Sequence, residues 1–509
     1  MEVLKLAPIF QSHMIIQRDK PIHVWGEGPE DARITVSFSH YVETAIVKNN
    51  TWSCTLCSCP AGRNYTMTVT MDIPYSSPII LTDISVGDVW LAGGQSNMEY
   101  FLRYDAHWEM IKRQPKNPDI RMYNVPRLAF EGHKKDISDS GYWFGEQEDA
   151  WETFSAPGYC FARSLQPHLD VPIGIIGCNW GGTPACAWID ESYLNTSPLD
   201  IFLQEYQEAV QGKSPDHIRA QAMKGYAFND SPKRQEEWKA VMYGISREEQ
   251  IEWMKNHKDD PIIPMGPQHK DRPSGLYKHM LKSLAPFSLK GVLWYQGESD
   301  SGHGDIYDKT MKALITCWRK LWQDDFPFLF VQLAPFGEWL GINGKDYPTV
   351  RLKQEIVSQT FPNTYMTSIM DLGMYHDIHP KHKKEVGERL ALLARGCVYH
   401  EDILCLPPQL KTGEVDGNKI ILTFSHVGSG LYLQGEDLKD LLVLHEGLPL
   451  TPLSIALEGD KIIISLKDII THSIQVEYAN VGYTKVNVYN SADLPLKPFI
   501  WKSTPPKQV

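Results

Sequence analysis

The chain has 509 residues, 42% hydrophobic and 22% charged, with a formal net charge of −12. That length is too great for one hydrophobic core and implies about two to four domains of ordinary globular composition. The negative charge argues against nucleic acid as the main partner, because phosphate binding needs clustered Lys and Arg.

The opening stretch, MEVLKLAPIFQSHMIIQRDK, is broken by Lys5, Pro8 and Gln11 and carries neither a signal-peptide core nor a spanning helix. Nine cysteines, an odd number thinly spread, do not read as a disulfide framework. Cys54, Cys57 and Cys59 cluster, but one C-x-x-C without a second half is a weak zinc signal. These features lead to an expected cytoplasmic location and no membrane partner, although a leader already removed would leave no trace.

Residues 1–85 show short alternating segments, PIHVWGEG, ARITVSF and YTMTVTM, separated by turn residues, and are expected to form an amino-terminal β domain. From 86 to 400 the apolar runs lose their alternation: VGDVWLA, VPIGIIGC, LKGVLWYQ, PFLFVQLA and TYMTSIMD. Helical stretches such as GYCFARSLQPHL and YDKTMKALITCWRKLW space them, so an α/β domain with a parallel sheet covered on both faces is expected. A polar, helix-forming insertion is expected at about 190–285. Residues 401–509 return to strands and turns (KIILTFSH, LVLHEGLPL, KIIISL, SIQVEYA) and read as a carboxy-terminal β domain.

In an open α/β sheet, ligands bind beyond the carboxyl ends of the strands. There this chain places Gly93-Gly94-Gln95-Ser96-Asn97, then Trp180-Gly181-Gly182-Thr183, then Gln296-Gly297-Glu298-Ser299-Asp300, and finally Asp377-Ile378-His379-Pro380. Each block alone is an ordinary turn. Together they supply the parts of acyl transfer. A serine hydroxyl needs a base, and an imidazole provides one near neutrality. A carboxylate orients that imidazole, and amide donors hold the oxyanion. Ser96, His379 and Asp377 are thus the candidate catalytic residues. The N–H groups of Ser96 and of Gly181 or Gly182, with the Gln296 side chain, are the candidate oxyanion hole.

The blocks GGQSNME (93–99), WGGTPACAW (180–188), WYQGESD (294–300) and DIHP (377–380) resemble the sialate O-acetylesterase branch of the SGNH-hydrolase superfamily. FQSHMIIQRDKPIHVWG and FSAPGYCFARSL extend the likeness, which is weakest in the insertion and the last hundred residues. The resemblance implies a flavodoxin-like SGNH central domain flanked by the two β domains. It also implies a metal-independent esterase that removes O-acetyl groups from sialic acids through an acetyl-enzyme on Ser96, with Gly182 as the second backbone donor. Acetylxylan or another plant glycan is the alternative substrate.

Two departures stand out: Cys186 occupies a place where an acid is expected, and the acid partner is open between Asp377, Asp371 and a backbone carbonyl. Trp180, Glu298 and Arg103 are candidate substrate contacts, and Arg272 is a further candidate for a sialate carboxylate. Trp188, Trp294 and Tyr295 suit sugar stacking or core packing equally.

Other readings are weaker. Met98 replaces the last glycine of G-x-S-x-G, against an α/β-hydrolase elbow. His376, His379 and His382 share an H-x-x-H-x-x-H spacing, but no HExxH accompanies it and Lys381, Lys383 and Lys384 add positive charge. No metal or cofactor is therefore expected. A glycan-binding protein with a dead centre would be expected to have lost one of Ser96, Gln296 or His379.

Overall fold

The computed structural model describes residues 4–133 and 140–503. The chain forms two compact units: Met1–Ser299 with Lys309–Phe328 and Lys381–Ala391, and Asp300–Asp308 with Leu329–Pro380 and Leu392–Val509.

In the first unit, Lys5–Leu6, Ile22–Glu27 and Thr51–Leu56 make a three-stranded antiparallel sheet. Arg33–Phe38 pairs with Tyr41–Ile46 and Gly62–Met71. Gly62–Met71 then pairs with a long strand, β1 (Ile79–Gly94). The two halves of β1 differ in burial. Ile79 to Asp83 mixes exposed and buried residues, as in a sheet with one wet face, whereas Ile84 to Gly94 is buried throughout. One strand thus serves two environments and runs unbroken through the boundary expected near residue 85. Within it Asp88 is fully buried, held by Arg18 Nε at 2.9 Å and Nη2 at 2.8 Å. This two-pronged ion pair fixes the amino-terminal segment to the strand.

The buried half of β1 is flanked by β2 (Ile120–Asn124), β3 (Trp143–Phe144), β4 (Ile173–Asn179) and β5 (Gly291–Tyr295) in the order β3-β2-β4-β1-β5. All pairings are parallel except β3 with β2. Side chains alternate across β1. Ala92 meets Gly158 of the helix Ala156–Leu169, where a Cβ on the glycine would lie 3.4 Å from the alanine methyl. Gly93 faces Trp294 and Trp318, each 3.1 Å from where its Cβ would be. Helices therefore cover both faces. Helix α1 (Ser96–Glu99) follows β1, α2 is Ala156–Leu169, and α3 (Tyr307–Trp322) carries Trp318.

Helix α2 begins two residues before the window read from the sequence, because Ser155 caps it by accepting from the Gly158 N–H at 3.1 Å and a proline occupies the first turn. It ends at Asp170, in the left-handed region with φ 52°. The 190–285 stretch holds the helices Ile201–Val210, Pro215–Asn229, Pro232–Lys239 and Arg247–Asn256. The last carries a reciprocal Ser246–Glu249 cap. No described helix is long and apolar enough to cross a membrane.

In the second unit, β6 (Phe328–Val331) neighbours β7 (Thr364–Thr367), joined through α4 (Tyr347–Thr360). The fully buried Arg351 of α4 donates to the carbonyls of Leu333 (3.0 Å), Ala334 (2.9 Å), Val481 (2.7 Å) and Gly482 (2.8 Å). Two four-stranded antiparallel sheets follow, one built on Lys419–Ser425 and Lys461–Ser465, the other on Leu441–His445 and Ile474–Tyr478. Ile420, Leu422, Ile462, Ile464, Val443 and Val476 form their common core. The helix α5 (Lys383–Cys397) begins just after the DIHP block.

Gly94 has φ 138°, and a Cβ there would sit 2.2 Å from the Tyr295 carbonyl oxygen. Gly94→Ala is therefore expected to destabilise the protein by about 1–3 kcal/mol, measured by denaturant melts against wild type.

Candidate active site

Gly94 of β1 stands opposite Asn179 of β4 and Tyr295 of β5, so three neighbouring strands end level. The Trp180 N–H donates to the Gly94 carbonyl at 3.1 Å and the Gln95 N–H to the Tyr295 carbonyl at 3.2 Å. The Gln95 side-chain oxygen accepts from the N–H groups of Ser299 (3.2 Å) and Gly297 (3.4 Å). These bonds stitch the three loops together. Ser96, Gly181, Gly182 and Gln296 consequently lie along one sheet edge, as their positions after the apolar runs implied.

Ser96 opens α1 and is largely buried, at 8% exposure. Gly181 packs directly on it: a Cβ on that glycine would lie 3.3 Å from the Ser96 Cβ. The two glycines have different tasks. The Gly181 N–H donates to the carboxylate of Glu99, whereas Gly182 is exposed and turns the chain with φ 76°. Glu99 also forms an ion pair with Arg127 (3.0 Å) and contacts Lys239. Burial pushes the Lys239 ammonium down to about 7, with Lys270 acting in the same direction. Lys270 Nζ lies 3.4 Å from where a Gly182 Cβ would be.

Gln296 is fully buried and donates from Nε2 to the Thr183 carbonyl at 3.3 Å. That bond joins the third loop to the second. Thr183 in turn bonds the Trp180 carbonyl (2.8 Å) and accepts from the Trp188 indole (3.0 Å). Cys186 is buried in the turn Ala185–Trp188, its carbonyl accepting from the Ser274 N–H at 2.9 Å.

Glu298 is buried and accepts from the Asn97 side-chain amide at 2.5 Å. The other end of that amide accepts from Lys383 Nζ, also at 2.5 Å. Lys383 is wholly buried, its ammonium 5.0 Å from the ring centroids of both Tyr100 and Tyr295. A Lys383–Asn97–Glu298 chain thus holds the residue next to Ser96 between two charges of opposite sign. Sequence reading took Lys383, four positions after His379, only as added positive charge and missed its buried bond to Asn97.

Arg103 donates to Glu236 at 2.5 Å and lies over the rings of Phe101 and Tyr104. Arg272 is partly buried, which lowers its pKa. Trp188, Trp294 and Tyr295 are core residues, and only Trp180 of the four aromatics is half-exposed.

In the second unit, His379 is buried at 1% exposure, with its ring edge-on to Trp339 at 5.4 Å. The Asp377 carboxylate accepts from the His379 backbone N–H at 2.8 Å and lies 3.5 Å from Nδ1. Asp371 lies close enough to Tyr432 to add to the effect of burial and of Asp493, which together push that phenol up to about 12. Two residues of spacing therefore suffice to set a carboxylate beside the imidazole.

Removing the buried ammonium tests the Lys383 chain. Lys383→Met is expected to cost about 3–5 kcal/mol, because Glu298 loses its balancing charge. Adding Glu298→Gln is expected to return part of that loss in denaturant melts, as a double-mutant cycle.

A family model described as "Carbohydrate esterase, sialic acid-specific acetylesterase" matches residues 246–394. The sialate O-acetylesterase of Rattus norvegicus is 26% identical over 78% of this chain and 74% of its own length. That of Homo sapiens is 25% identical over 78% and 71%. The crystal structure of a carbohydrate acetylesterase from Xanthomonas citri superimposes with a TM-score of 0.77 at 27% identity, covering 99% of this chain and all of that one. With its α/β sheet and the motif blocks along one edge, the chain is an esterase hydrolase similar to the sialate O-acetylesterases.

Proposed function

We propose that the protein removes O-acetyl groups from sialic acids, with the 9-O-acetyl ester preferred, by a Ser–His–Asp acetyl-enzyme mechanism on an SGNH-type core. One observation carries the reading: β1, β4 and β5 end level, so Ser96, Gly182 and Gln296 follow adjacent strands at one depth.

The chemistry assigns each residue a task. Ser96 Oγ attacks the acetyl carbonyl while His379 takes its proton; the tetrahedral intermediate collapses, and His379 returns the proton to the departing sugar hydroxyl. Water then attacks the acetyl-enzyme by the same route and acetate leaves. The oxyanion is held by the N–H groups of Ser96 and Gly182 and by the Gln296 amide. The engagement of the Gly181 N–H by Glu99 favours Gly182 as the second donor. Asp377 is the acid partner, supported by its 3.5 Å approach to His379 Nδ1. Trp180 is the aromatic left half-exposed for a sugar face. No step requires a metal or cofactor.

A neutral plant glycan is the second reading. It is favoured by the engagement of Arg103 with Glu236, which occupies a cation expected to meet the sialate carboxylate. The Xanthomonas citri neighbour is named only as a carbohydrate acetylesterase, and is compatible with either substrate.

Acetate release from 9-O-acetylated sialic acid and from acetylated xylo-oligosaccharide, compared for wild type and Ser96→Ala, separates the readings. Preference for the sialic acid with a loss of roughly 10³-fold or more in the variant is expected. Release from the xylo-oligosaccharide alone overturns the substrate, and unaltered activity in Ser96→Ala overturns the mechanism. Gln296→Ala is expected to lower kcat by about 10²–10³-fold. For the acid, Asp377→Ala is expected to cost at least about tenfold while Asp371→Ala stays near wild type; equal, small effects favour a Ser–His dyad.

A further inference from the structure

Beyond the acyl-transfer residues, one side-chain cluster has ligand chemistry of its own. His107 lies in the segment after α1, and His382 and Glu385 sit around the start of α5. The two segments are pinned together: the Ala106 N–H donates to the Lys381 carbonyl at 2.9 Å, and the Lys384 N–H to the Asp105 carboxylate at 2.9 Å. His107 Nε2 lies 3.4 Å and His382 Nδ1 3.3 Å from the same oxygen, Glu385 Oε1. The three ligand atoms all fall within 4.8 Å of one another, and among the described residues this is the group of His, Cys, Asp and Glu that converges so.

The two distances to Glu385 Oε1 have a specific meaning. Ligand atoms about 2.0–2.1 Å from a tetrahedral zinc lie roughly 3.3–3.4 Å apart. Two further contacts surround the cluster. His107 Nδ1 makes no hydrogen bond but faces Oδ1 of Asp105, whose side chain is wholly buried, at 3.5 Å. Metal-bound imidazoles commonly turn their second nitrogen to such a carboxylate. Glu385 Oε2 is buried with no hydrogen-bond partner, as for a carboxylate whose charge a cation would balance.

The ammonium groups of the neighbouring lysines are bonded to other partners. Lys381 Nζ donates to the Tyr243 carbonyl (2.8 Å), Lys383 Nζ to Asn97 (2.5 Å) and Lys384 Nζ to Glu388 (2.6 Å). This set also differs from the H-x-x-H-x-x-H spacing. His376 faces Glu338 at 3.6 Å and His379 stands beside Asp377, so of those three only His382 contributes.

We propose that His107, His382 and Glu385 form a structural zinc site, completed by water, which clamps the start of α5 to the segment following α1. The site is separate from the acyl-transfer chemistry. It acts by fixing the end of α5 that bears Lys383.

The test uses the full chain, stripped with EDTA, then dialysed against zinc and analysed for bound metal and thermal melting. Wild type is expected to retain one zinc per chain and to melt at least about 2 °C higher with zinc than with EDTA. Glu385→Gln and the half-exposed His382→Asn are each expected to lose both effects while melting like EDTA-treated wild type. Cobalt in place of zinc is expected to give the visible absorption of a four-coordinate ion in wild type only. Initial rates of ester hydrolysis by wild type at 25 °C are expected to be unchanged by EDTA. Failure of wild type to bind zinc, or full zinc retention by both variants, overturns the site and leaves surface ion pairs. Loss of hydrolysis in EDTA with rescue by zinc overturns its structural assignment.

Discussion

The candidate site depends on three parallel strands ending at one level. Gly94, Asn179 and Tyr295 are mutual register partners, so whatever follows each strand is delivered to the same edge. Parallel register is set along the whole length of buried strands and cannot slip by one residue without turning every side chain to the opposite face. Burial of Ile84 to Gly94 thus does more than stabilise the sheet: it fixes where Ser96 stands. Gly94 is the tight point of this arrangement, since the adjacent Tyr295 carbonyl leaves no room for a Cβ.

Around that edge the protein has placed charges in buried, mutually bonded sets. Glu99 gathers Arg127, Lys239 and the Gly181 N–H, and Lys383 faces Glu298 through Asn97. Both sets touch residues adjacent to Ser96 in sequence or space. An uncompensated buried charge is costly, whereas a satisfied network is rigid and admits few alternative geometries. The same sets give the block GGQSNME a physical reading: Gln95, Asn97 and Glu99, on either side of Ser96, each bind a neighbouring loop.

Much of this was legible in the sequence because it depends on local pattern. Unbroken apolar runs followed by small residues marked the strands and their ends, while the start of α2 was read two residues late, at Gly158. The long-range pairings were not legible. Nothing local tells that Arg103 meets Glu236, that Glu298 is turned inward to Asn97, or that His107 and Glu385 share a neighbourhood across hundreds of residues. The two glycines of WGGTP are equivalent as letters; only the position of Glu99 separates them. The change of environment within β1 was readable as a change in alternation, but not as one continuous strand.

The central claim is that Ser96 is the nucleophile. Its most direct test is stoichiometric labelling with a fluorophosphonate, followed by peptide mass spectrometry and residual esterase activity at each extent of labelling. The account predicts one adduct per chain, on Ser96, with activity falling in proportion to it. Adduct formation at another residue with parallel loss of activity, or full activity in protein labelled at Ser96, would contradict it.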